Sequence, residues 1–258
     1  MSCDDLTEDS TGWRSDAAIA VPVSHGHLPD GTPTLVIGDV SGFAAFNHVQ
    51  GDNADHDSGD CGIVCCADVL GQFGLTRTEA ELVAHATRRR ELHVVPGHPE
   101  QSGWTRPSEQ AALLRDYGVA AHEETGQPVE RLAVACQRGH GVIAAVNAGV
   151  LWGDASCLGN GQANHAVTVT GVARDPYDGA LEGLFINDSG NGQSGQFVSA
   201  HLMTTTFVRT GGFCVITDTR ARPVRPADRS WPRPPSPRPP GRGAGGPAHG
   251  LPGAPPGG

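Results

Sequence analysis

The sequence predicts an α+β domain, with helices first and an antiparallel sheet second. Between residues 62 and 139 the apolar residues recur at helical spacing. From residue 141 to 218 they fall into short runs separated by Gly, Asp and Asn, the pattern of strands joined by tight turns. Beyond residue 219 apolar content almost vanishes, which closes the domain.

Each element has a local reason. Residues 1–32 are polar, acidic and weakly patterned, and read as a flexible arm. "TLVIGDV" (34–40) is a short strand, and "DNADHDSGD" (52–60) is an acidic loop. "GIVCCADVLGQF" (62–73) is apolar nearly all round, so it predicts a buried helix ending at Gly74. Thr76, with Glu79 three residues later, predicts a capping box opening a second helix that runs to about Arg90. "RPSEQAALLRDYGV" is a third helix, with Pro107 in its first turn and Gly118 at its end, and "PVERLAVACQRG" is a fourth. Strands are expected over 141–149, 165–174, 181–188, 195–200 and 211–218. The domain therefore spans residues 33–219, between the arm and a disordered Pro/Gly/Arg-rich tail over 220–258.

Charge narrows the function classes. The chain carries −10, and its tail has seven Arg against one Asp, which leaves residues 1–219 at −16. A body that acidic argues against nucleic acid as partner. No apolar run is long enough for a transmembrane helix, and the acidic N-terminus lacks the basic and apolar regions of a Sec signal peptide. The expected location is the cytoplasm, or outside it by a route without that signal. Seven cysteines with no export signal favour reduced thiols over a disulfide framework.

Three of those cysteines crowd into "GDCGIVCCADVL". Cys61 stands where the acidic loop meets the N-terminus of the buried helix, whose partial positive charge favours a thiolate. Cys65 and Cys66, one turn further in, read as small core residues. His165 opens the strand "HAVTVTGV" and Asp188 ends the strand "LFIND". A helix-start Cys with a His and an Asp on neighbouring strands supplies a nucleophile, a base and a group to orient the base. Zinc held by His56, Cys61, Cys65 and Cys66 is disfavoured, because adjacent helical cysteines diverge by roughly 100°. Calcium binding by the acidic loop is disfavoured because the final-position glutamate is missing. No cofactor and no metal is expected. Trp104 and Trp152, each beside a Gly, read as cleft-lining or packing residues.

"VQGDN…GDCGIVCCADVL", "ANHAVTVTGV" and "LFINDSG" together resemble papain-like cysteine peptidases. The nearest branch comprises the bacteriocin-processing (double-glycine) peptidases and related papain-fold domains of bacterial secreted and toxin systems. The likeness extends from about Leu35 to Thr217. It implies a papain-like fold in which a buried catalytic helix packs on the sheet. It implies Cys61 as nucleophile, His165 as base and Asp188 as orienting acid, with Asn187 as the alternative third member. It also implies Gln50 as an oxyanion-hole donor beside the Cys61 N–H. One departure is the spacing, since Gln50 stands eleven residues before Cys61, where papain-like enzymes usually have about six. The implied activity is thiol-dependent hydrolysis of a peptide or amide bond in a peptide or protein substrate. Two other readings stay open: a toxin that deamidates or acyl-transfers at protein glutamine, which would bring an immunity protein as partner, and a catalytically idle interaction domain.

Overall fold

The computed structural model describes residues 21–55 and 57–221. The tail reading, most of the N-terminal arm and His56 lie outside them.

Among the described residues, eight strands form one antiparallel sheet: β1 (Val23–His27), β2 (Pro33–Ile37), β3 (Ala121–Glu124), β4 (His140–Val146), β5 (His165–Arg174), β6 (Leu181–Asp188), β7 (Gln193–Ser199) and β8 (Cys214–Arg220). The order along the main path is β1-β2-β5-β4-β8-β3, and β6 and β7 continue from β5. The hub is β5, buried over all but its last residue. It pairs with β4 through residues 165–169, with β2 through residues 172–174 and with β6 from Thr168 onward. Full burial on both faces explains why "HAVTVTGVAR" reads as a continuous run of small and β-branched residues.

Helices cover both faces. On one lie α2 (Cys61–Gln72), α3 (Glu79–Arg89) and α4 (Pro107–Asp116), whose Ile63, Leu70, Leu82 and Leu114 pack with Ile143, Ala166 and Val215 of the sheet. On the other, α5 (Val129–Gln137), α6 (Ala148–Trp152) and α7 (Ala200–Thr206) cover Val142, Ala144, Val167, Val169, Leu184 and Ile186. The alternation along β4 is thus literal: 142, 144 and 146 face one helical layer and 143 the other. Each fully buried Leu or Ile contributes roughly 1.5–3 kcal/mol over its exposed state. Among the described residues, no helix is long and apolar enough to cross a membrane.

The α+β class holds, with three local differences. Residues 23–27, expected within the arm, pair in register with β2, so the sheet starts before residue 33. A short helix, α1 (Val40–Ala44), follows β2, capped by Asp39 Oδ1 accepting from the Gly42 N–H at 3.0 Å. The capping box of α3 is Thr78 with Glu81, not Thr76 with Glu79. Both frames fit the same sequence spacing, and burial decides between them. Glu79 is 2 % exposed and committed to other partners, whereas Glu81 is free in solvent to turn back on the cap.

Candidate active site

Cys61 is the first residue of α2, half-buried, with the rest of the helix fully buried behind it. Gly62 lets the helix approach α4 this closely. A Cβ there would meet Thr105 Oγ1 at 2.2 Å and Gln110 Nε2 at 2.4 Å. His165 is the first residue of β5, at the sheet end nearest that helix terminus, and is 7 % exposed.

The imidazole is held from behind. His165 Nε2 lies 2.8 Å from Asp188 Oδ1. Asp188 Oδ2 accepts from Trp152 Nε1 at 2.7 Å, and Asp188 Oδ1 accepts from the Gly190 N–H at 2.9 Å. The Trp152 ring stands at 5.1 Å and 59° to the imidazole, walling the pair from solvent. Asn147 places that tryptophan. It caps α6 through the Val150 N–H at 3.0 Å, and its amide ties down the Leu158 and Gln162 carbonyls. Trp152 therefore orients Asp188, a role that nothing in the sequence around "LWGD" signals, since the partner is 36 residues away.

Asn187 faces the other way. Its Nδ2 donates to Asp68 Oδ2 of α2 at 2.9 Å and to the Phe43 carbonyl at 3.0 Å, and its Oδ1 accepts from the Gly195 N–H at 3.1 Å. Its hydrogen bonds are made on the α2 side, and the side chain beside His165 is that of Asp188.

Gln50 is tied to Ser189, the residue after Asp188, and to the loop before Cys61. Its N–H donates to the Ser189 carbonyl at 3.1 Å, and its Oε1 accepts from the Ser189 hydroxyl at 3.0 Å. Its Nε2 donates to the carbonyl of Ser58, three residues before Cys61. The acidic loop closes on itself, with Asn53 Nδ2 donating to the Asp57 carbonyl at 2.9 Å and the Asp57 N–H returning to Asn53 Oδ1 at 3.0 Å. The extra residues thus form a closed bulge.

The electrostatics follow from these contacts. Burial pushes the Cys61 thiol up, but the charge and hydrogen bond of His165, with the backbone N–H groups of Ala166 and Gly62, hold it below its ordinary value. Burial opposes charge on His165 as well, yet the Cys61 charge and the Asp188 hydrogen bond raise it to about 10. Burial likewise opposes ionisation of Asp188, and its bonds to His165, Trp152 and Gly190 hold it below the usual carboxylate range. Both shifts favour a thiolate beside an imidazolium. Cys65 and Cys66 are different: burial pushes both thiols well up, and Cys66 donates to the Gln110 carbonyl at 3.7 Å within the core. Neither faces the cleft.

That cleft, of about 580 Å³, opens over Cys61 and His165 and is walled by Trp104, Thr105, Gln110, Ala145, Asn164 and Phe213. Trp104 is braced from outside by His93, stacked at 3.6 Å, with His93 Nε2 fixed 2.9 Å from Glu109 Oε1. Of the two tryptophans, Trp104 lines the cleft and Trp152 supports Asp188.

No family model matches this chain. Uncharacterized proteins of Mycobacterium tuberculosis and Mycobacterium bovis are 29 % identical over 197 residues, covering 67 % of this chain and 80 % of each relative. A crystal structure of a candidate C39-like peptidase from Bacillus anthracis superposes with a TM-score of 0.47 at 16 % identity, over 69 % of this chain and 97 % of that one.

Proposed function

We propose that the chain is a cysteine hydrolase that cleaves a peptide or amide bond through Cys61, His165 and Asp188. The observation that carries this reading is the alignment of a half-buried thiol at a helix N-terminus with an imidazole held 2.8 Å from a buried carboxylate. A structural His–Asp pair needs no cysteine at its open side and no cleft above it.

The roles follow from the atoms. With Nε2 committed to Asp188, Nδ1 is the imidazole nitrogen left to exchange a proton with the sulfur. The thiolate forms a bond to the substrate carbonyl carbon, and the carbonyl π pair moves onto oxygen. The Cys61 N–H and the second hydrogen of Gln50 Nε2 stabilise that oxyanion. Collapse breaks the C–N bond while His165 gives its proton to the departing amine. Water then adds to the thioester, passes a proton to His165 and releases the acid, restoring the thiolate.

Mass-spectrometric capture of an acyl-enzyme, with a pool of peptide esters as acyl donors, tests this reading. The expected adduct is on Cys61 and disappears in His165→Ala. A protein that acylates at Cys157 on the surface as readily as at Cys61 is not this hydrolase.

A further inference from the structure

Asp60 stands at the N-cap of α2, where an aspartate ordinarily accepts from the first-turn N–H groups. Its side chain makes no such bond. The carboxyl is fully buried and turns inward to the start of α3. There Asn53 Nδ2 donates to Asp60 Oδ2 at 3.1 Å and to Glu79 Oε1 at 3.0 Å, so one amide is flanked by two carboxyls. Glu79 also accepts from the Gly51 N–H at 3.1 Å and lies 2.8 Å from His48 Nε2. Asp60 Oδ1 has no donor among the described residues, and Asp60 Oδ2 and Glu79 Oε1 meet at the same amide nitrogen. Two ionised carboxylates converging on one buried amide are acceptors only and repel each other, and a hydrogen on one of them removes that repulsion.

We propose that Asp60 and Glu79 share one proton, with Glu79 kept ionised by His48 and Asp60 carrying the hydrogen, and that this neutral Asp60 is a positioning residue for Cys61. It ties the 51–60 loop to α3. It also leaves the N–H groups of Cys61 and Gly62 uncovered and puts no negative charge beside the thiolate. The last point rests on the hydrolase reading, whereas the shared proton does not.

The surroundings agree. Burial and the bond to Glu79 push Asp60 up to about 9, while the same burial on Glu79 is outweighed by His48, Asp60 and Asn53, which hold it low. The titratable groups around Asp60 are Glu79 on α3, His48 behind Glu79, Asp57 in its own loop and Cys61 on its own helix. From the segment before α4, the backbone of Gly103 packs against it, a Cβ there falling 3.0 Å from Asp60 Cβ.

The test is infrared difference spectroscopy at pH ~8 between the wild-type protein and Asp60→Asn, paired with Cys61 alkylation rates at pH ~6. The expected difference spectrum shows the carbonyl stretch of an un-ionised carboxylic acid in the wild type, absent from the variant. Asn mimics the protonated acid, so alkylation in Asp60→Asn should stay within about twofold of wild type. Glu79→Gln removes the charge that holds His48 and gives Asp60 an amide donor. Asp60 should then ionise, the acid band should vanish, and alkylation should slow by about tenfold. A wild type showing only carboxylate bands, or an Asp60→Asn variant alkylated about tenfold faster, would mean that Asp60 is charged and overturn the proposal. If Asp60→Asn does not fold, carbon NMR of aspartate-labelled wild type answers the same question: one buried Asp must still titrate as the acid at pH ~8. An acid band in a protein that never acylates at Cys61 would leave the shared proton standing and remove the hydrolase reading instead.

Discussion

His165 Nε2 sits 2.8 Å from Asp188 Oδ1, while Asn187, the preceding residue on β6, bonds Asp68 of α2 at 2.9 Å on the opposite face of the sheet. The two side chains differ by one position in a period of two, and that places one in the site and the other in the scaffold. Asp188→Ala should therefore lower kcat/KM by on the order of 10³–10⁴. Asn187→Ala should leave turnover nearly unchanged and cost ~2–4 kcal/mol of stability, because three partners, the buried Asp68 among them, lose their bonds. The reverse ranking, read by steady-state kinetics and thermal melts, would give the third role to Asn187.

Trp152 touches His165 only through its ring and Asp188 through its Nε1–H. Trp152→Phe keeps the wall and removes the hydrogen bond. The expected result is a roughly tenfold loss in kcat at unchanged KM, since Trp152 is not among the residues that line the cleft. An equal loss in Trp152→Phe and Trp152→Ala, or a change confined to KM, would assign Trp152 to the substrate site.

Gln50 is fixed between Ser58 and Ser189 with one Nε2 hydrogen in use. If the other meets the oxyanion, Gln50→Ala should cost on the order of 10²-fold in kcat with KM little changed. An unchanged kcat would make Gln50 a loop anchor only.

The pH dependence has a definite sign. His165 is raised to about 10, so its proton, and with it the acid for the leaving amine, is present below that value and lost above it. Cys61 is lowered, so the thiolate is present well below the ordinary thiol range. A profile of kcat/KM should be flat through neutrality, with its alkaline limb near about 10. His165→Ala should shift the onset of Cys61 alkylation upward, because the cation is gone. A Cys61 that alkylates only as an ordinary thiol would remove the ion pair.

Asp68 contributes pH-dependent stability. Burial pushes its carboxyl up to about 7, against the bond from Asn187, the nearby Thr168 hydroxyl and the charge of His48. The folded state thus holds this proton more tightly than the unfolded chain, whose carboxyl titrates near ~3.9. Stability is fully present below the unfolded value, falls as pH rises toward about 7 and levels off above it. Asp68→Asn should flatten that fall, so its Tm relative to wild type should be higher at pH ~8 than at pH ~4. Parallel Tm curves for the two proteins would show that Asp68 does not hold the proton.

Much of this molecule follows from local pattern alone. The all-round apolar run after Cys61 can satisfy itself only as a buried helix, and "HAVTVTGVAR" only as a strand covered on both faces. The alternation of β6 puts Asn187 and Asp188 on opposite faces without naming which face holds the histidine. That choice belongs to the tertiary structure, because it depends on the register of β5 with β6 and on the side that α2 covers. The same holds for Trp152 and Asp188, for Gln50 and Ser189, and for Asn53 and Glu79. Each pair joins segments far apart in sequence, and a bond of that kind leaves no periodicity behind. Glu79 shows the limit most directly: its spacing from Thr76 fits a helix cap, and only burial beside His48 and Asn53 turns it into the partner of the residue next to Cys61.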